Sequence, residues 1–152
     1  MSIANTIAKM QALHLTVTGV ASAPVEAYRP ASITAELLPC VMVEVGECAW
    51  SLHSMGQTRQ DRTYVVTCYV LPWGQGEGIH EAETLCTTLL QAFGAAYLAD
   101  LQTSPVLDSA VKTILSIADS GIMPRLSENI GPLDYAGVPY WGFQFRVTVV
   151  EK

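Results

Sequence analysis

The C-terminal run Tyr140-Trp141-Gly142-Phe143-Gln144-Phe145-Arg146-Val147-Thr148-Val149-Val150-Glu151-Lys152 limits the possible folds more than any other segment. Trp141, Phe143, Phe145, Val147 and Val149 share one face. Tyr140, Gly142, Gln144, Arg146 and Thr148 share the other. A period of two over this length specifies a half-buried strand of an antiparallel sheet. The preceding Tyr135-Ala136-Gly137-Val138-Pro139 supplies Gly and Pro where a chain reverses. One face of this strand anchors a core, and the other offers a second surface to something else.

A chain of 152 residues is the size of one domain and buries about 68–70% of its unfolded surface, so it folds without a disulfide or a metal. We read residues 1–152 as a single α+β domain, with no internal repeat and no interdomain linker. Charged residues are only 14% of the chain and hydrophobic ones 50%, which leaves less solvating surface than a monomer usually carries and favours an oligomer. The formal charge is −6. The basic residues Lys9, Arg29, Arg59, Arg62, Lys112, Arg125, Arg146 and Lys152 are scattered along the chain, unlike the clustered footprint of a protein that grips phosphate backbones. No apolar run reaches the ~20 residues of a membrane span, and Met1 to Asn5 lacks the basic start of a signal peptide. The expectation is a protein made in a cytoplasm.

Ile3, Ile7 and Met10 share a helical stripe that Ser2 can cap, and the helix is expected to end near residue 13, where Leu13, Leu15 and Val17 switch to period two. Residues 19 to 39 hold Gly19, Pro24, Pro30 and Pro39 and read as a long connection, of a length that suits an interface. Val41, Val43 and Val45 alternate in a strand from Cys40 to Cys48, with a short continuation at Trp50 to Leu52. Tyr64, Val66, Cys68 and Val70 alternate in the next strand, Thr63 to Leu71. Between them the polar run His53-Ser54-Met55-Gly56-Gln57-Thr58-Arg59-Gln60-Asp61-Arg62 reads as a long, mobile hairpin tip. From Ile79 to Leu98, the positions Ala82, Leu85, Cys86, Leu89, Phe93, Ala96 and Tyr97 form the stripe of a long helix lying across the sheet. Residues 105 to 123 carry both a helical stripe and strand-like β-branched content. A strand from Val111 to Ala118 is preferred, because a three-stranded sheet would leave the C-terminal strand short of partners. The sum is a mostly antiparallel sheet of about four strands, packed against a long helix and a short N-terminal one.

The search for chemistry yields no catalytic, cofactor-binding or metal-ligating set. Gly74, Gly76 and Gly78 follow a strand and open a helix, but Ile79 stands where a nucleotide-binding loop needs its third glycine, and Glu77 would repel a phosphate at the helix start. Cys40, Cys48, Cys68 and Cys86 lack paired zinc or redox spacings and read as reduced core residues. His80 and Cys86 are six apart, a spacing that does not bring both to one metal. His53 has Ser51, Ser54 and Asp61 near it in sequence, but none of these serines sits in a nucleophile elbow. Neither Glu44 with Glu47 nor Glu81 with Glu83 shares a face as a general acid–base pair would. Trp50, Trp73 and Trp141 read as core or rim residues. These residues describe a binding or structural module and not an enzyme.

The order of elements, the Leu38-Pro39 step before a strand, and the closing Tyr135-x-Gly137-x-x-Tyr140-Trp141-Gly142-Phe143 resemble the tail terminator (tail completion) proteins of long-tailed bacteriophages. The resemblance covers most of the chain in layout. It implies a virion protein of the tail-neck region without catalytic residues, assembled as a hexameric ring. One side of the ring would meet the tail tube protein and the other the head-completion or connector protein, with DNA only as passing cargo and no membrane. By position, the contact segments would be the tip from His53 to Arg62 and the loop from Gly19 to Leu38, which includes Tyr28 and Arg29. Two rivals remain: another head-tail joining or minor capsid component, and, in a different class, a small ligand-binding or enzymatic α+β domain using the Gly74 to Gly78 loop.

Overall fold

The computed structural model describes residues 3–25, 29–73, 79–103, 105–123 and 131–151. The Ser2 cap, Tyr28, the Gly74 to Gly78 loop and the side chains of His53, Ser54 and His80 lie outside the described residues. Helix α1 (Ile3–Leu15) is followed by the long connection, which includes a 3-10 turn at Ala35–Leu37, and then by strands β1 (Cys40–Ser54) and β2 (Gln57–Pro72). Helix α2 (Ile79–Gln102) and a short turn at Val106–Ser109 lead to β3 (Val111–Met123), β4 (Leu133–Tyr135) and β5 (Val138–Glu151). The fold is α+β, with two helices on an antiparallel sheet of order β1-β2-β5-β3, and β4 pairs with the start of β5.

The C-terminal strand is the centre of this sheet. β2 runs along one side of β5, from Asp61 opposite Val150 to Pro72 opposite Tyr140, and β3 runs along the other. Phe143, Phe145, Val147 and Val149 are fully enclosed, together with Val41, Val43, Tyr64, Val66 and Cys68 from the neighbouring strands. The two helices close this layer with Ile7 and Met10 from α1 and with Ala82, Cys86, Leu89, Phe93 and Tyr97 from α2. The buried stripe of α2 is narrower than its sequence pattern, and Leu85 is exposed. Gly142 is required where it stands, because a Cβ there would lie 2.0 Å from the Cys68 carbonyl oxygen.

Residues 105–123 resolve in favour of the strand, which extends to Met123, five residues beyond the expected end. α1 continues to Leu15, past the expected stop near residue 13. The hairpin differs most from the sequence reading. β1 and β2 pair up to Ser54 and Gln57, and the connection is only Met55-Gly56, with Gly56 at φ 74°. A polar sequence such as this predicts a loop. The ladder is made by backbone groups, however, and polar side chains suit a ribbon that is wet on both faces.

The connection from 19 to 39 is a strap. It leaves α1 on one face of the sheet and packs Ile33, Leu37 and Leu38 on the other, against Cys40, Met42, Tyr69 and Tyr140. Side-chain bonds tie it down: Gln11 donates to the Pro24 carbonyl (2.7 Å), Ser22 to the Leu37 carbonyl (2.6 Å), Tyr140 to the Ile33 carbonyl (3.3 Å) and Tyr135 to the Pro30 carbonyl. Backbone bonds from Ala21 to Pro39 (3.0 Å) and from Val41 to Ser22 (2.9 Å) fix its two ends together. Crossing from one face of a sheet to the other accounts for its length.

Candidate functional site

The β1–β2 hairpin projects beyond the sheet. β2 loses β5 as a partner beyond Asp61, so Ala49–Ser54 pairs only with Gln57–Asp61. The pairing of Cys48 with Arg62, Trp50 with Gln60 and Leu52 with Thr58 continues the helix-facing side of the sheet past the helices. Trp50 is 65% exposed and Leu52 86%, and Met55 at the turn is fully exposed. A two-stranded ribbon is marginally stable alone, and one carrying a Trp and a Leu on an open face has apolar surface to cover.

The candidate contact residues divide within this arm. Met55, Gly56, Gln57 and Thr58 are exposed at or beside the turn. Arg59 pairs with Asp61 at 2.7 Å on the face opposite Trp50, which is partly exposed. Gln60 lies across from Trp50. Arg62 is engaged inside the molecule. Its Nε reaches Glu151 Oε1 at 3.1 Å, with side-chain exposures of 16% and 7%, and the buried Tyr64 hydroxyl donates to the same oxygen at 2.9 Å. Arg29 donates from its guanidinium to the Val43 carbonyl, which fastens the strap to β1, and its Nε has no partner among the described residues. The residues that the sequence reading passed over are Trp50 and Leu52. Their alternation with Ala49 and Ser51 was legible, but apolar alternation signals a covered face and cannot say which part of a strand outruns its cover.

Among the described residues, a second uncovered surface lies at the opposite edge of the sheet. Between α2 and β3 runs a groove of about 360 Å³ lined by Leu90, Phe93, Gly94, Tyr97, Leu98, Leu101, Ile117, Asp119 and Phe145. Leu98 and Ile117 stand exposed on its two walls. Asp119 is its single carboxylate, and Asp119 Oδ1 accepts the Gly121 N–H at 3.0 Å.

Gln11, His14 and Tyr97 form a buried hydrogen-bonded chain. Gln11 Nε2 donates to the carbonyls of Pro24 (2.7 Å) and Val41 (2.9 Å), so Gln11 Oε1 faces His14 Nδ1 at 2.7 Å as an acceptor. Nδ1 must then carry the proton, and His14 Nε2 accepts from the Tyr97 hydroxyl at 2.6 Å. Burial lowers the His14 pKa to about 3 and holds the ring neutral. Burial likewise pushes the Cys68 thiol well up and the Cys86 thiol to about 12, with Glu83 adding to the latter. Cys40, Cys68 and Cys86 are enclosed, Cys48 is half-buried, and all four are free thiols. Among the described residues no group of three or more His, Cys, Asp or Glu could hold a metal ion, and no helix is long and apolar enough to cross a membrane. Trp141 is in the core with Trp73 packed against it, whereas Trp50 is 65% exposed on the arm.

No family model matches the chain, and no curated protein matches it.

Proposed function

We propose that this chain is the ring-forming subunit of a phage neck, a tail terminator that caps the tail tube and meets the head-completion or connector protein on its other side. DNA passes through the lumen of the ring. The observation that carries the assembly part of this reading is the projecting ribbon, which displays Trp50, Leu52 and Met55 to solvent. Such a surface is stabilised by cover that the chain itself does not provide. The low charge density of the sequence points the same way, and the assignment to the tail follows the resemblance in layout and in the Tyr140-Trp141-Gly142 segment.

Electron images of tail tubes incubated with the purified protein test the reading. Rings seated at one end of the tubes are expected. Rings bound to head vertices and absent from tubes would transfer the protein to the head-joining components. A protein that binds neither would overturn the neck assignment.

A further inference from the structure

We infer that the contact between ring neighbours is head-to-tail, with the hairpin arm of one copy laying Trp50 and Leu52 into the α2–β3 groove of the next. This rests on the ring reading above and names its interface. The two surfaces lie at opposite edges of one sheet, the arm extending the β1–β2 edge and the groove flanking β3. Unlike patches at opposite ends of a subunit join copies heterologously, and a heterologous contact closes into a ring when its rotation permits.

The dimensions match. The arm from Ala49 to Ser54 spans about 17 Å at strand rise, and the α2 wall from Leu90 to Leu101 spans about 16 Å at helix rise. The chemistry matches as well. The inward face of the arm would carry Trp50, Leu52, Thr58 and Gln60, with no charge among them, so the arm brings no ion of its own to be desolvated, and the groove's charge is that of Asp119. The paired Arg59 and Asp61 lie on the opposite face and remain in water. The Trp50 indole N–H brings a donor to a groove whose carboxylate, Asp119, is an acceptor, and a Trp seated in an apolar pocket is the usual energetic centre of an interface. Simple addition of one edge strand to another is disfavoured, because the β3 ladder is broken by register shifts at three places. Side-chain insertion avoids that obstacle.

Gly94 supplies the test. It lies on the groove wall, and a Cβ there meets nothing within 4 Å, so Gly94→Leu has room for its Cβ and adds bulk at the groove. Trp50→Ser/Leu52→Ser removes the arm's anchors from an exposed ribbon. Masses are measured by light scattering for the full chain, each variant, and an equimolar mixture of the two at about hundred-micromolar concentration, with thermal melts to verify folding. Wild type should form a closed oligomer, and each variant alone should be monomeric with a cooperative melt. The mixture should form dimers and nothing larger, since only one arm and one groove remain intact between the two variants. Oligomers retained in either variant, or a mixture that stays monomeric, would overturn this contact while leaving the ring in place. Wild type that stays monomeric throughout would remove ring and contact together.

Discussion

Single residues fix this fold by what they exclude. Gly142 sits where β5 crosses β2 so closely that a methyl group would meet the Cys68 carbonyl. Gly142→Ala should destabilise the protein by about 1–3 kcal/mol, read as a lower midpoint in urea. His14 is fully enclosed and neutral, with each ring nitrogen bonded. The unfolded chain takes up a proton at this ring near pH 6.5, and the folded chain resists until about pH 3. The His14 contribution is therefore complete above pH 6.5 and is lost as pH falls below it, at about 1.4 kcal/mol per unit. In His14→Phe the stability lost between pH 7 and pH 5 should shrink by about 2 kcal/mol relative to wild type. At pH 7 the variant should be weaker by about 1–3 kcal/mol, because the Tyr97 hydroxyl and Gln11 Oε1 lose their partner. Urea titrations at both pH values check this, and parallel pH slopes for the two proteins would contradict it. Little of this network was legible beforehand. His14 and Gln11 fall three apart on a helix, but their partners Tyr97, Pro24 and Val41 are distant in sequence and meet only in the fold.

Elements with a strong period were legible. The alternation of β5, most of the stripe of α2 and Val41 and Val43 of β1 describe a face that is covered in the structure, whereas Leu85 and Val45 at its margins are exposed. β3 was decided by counting partners for β5, since Leu107 to Ala118 fits a helical stripe as well as a strand. The arm is not legible as a strand because its cue, polarity, reports exposure and not backbone conformation. Arg62 shows the consequence: grouped by sequence with an exposed tip, it lies instead where the arm leaves the sheet, closing the end of the core with Glu151 and Tyr64. Among the described residues, Arg62→Ala leaves a largely buried carboxylate with only the Tyr64 hydroxyl. It should cost about 3 kcal/mol, measured by chemical unfolding. Substitutions at Leu52 or Met55, which stabilise nothing within the subunit, should leave the same transition within about 0.5 kcal/mol.

At the scale of the whole molecule, the sheet has a helix-covered face, a second face half closed by the strap and β4, and two uncovered apolar surfaces at opposite edges. A sequence can supply the residues of such surfaces but not their placement at the two ends of one subunit, which depends on strand order. The formal charge of −6 per chain bears on the proposed conduit role. A net negative ring lets a duplex slide, whereas clustered cations would hold it. The assembled protein should show no measurable duplex binding near physiological salt in a fluorescence anisotropy titration, and tight, salt-sensitive binding would speak against a passive conduit. The most direct measurement of the central claim is native mass spectrometry of the purified chain across a concentration series. The account predicts one closed species, six copies, that gains no further subunits as concentration rises. A monomer at every concentration, or an open series of lengths without a terminal size, would contradict it.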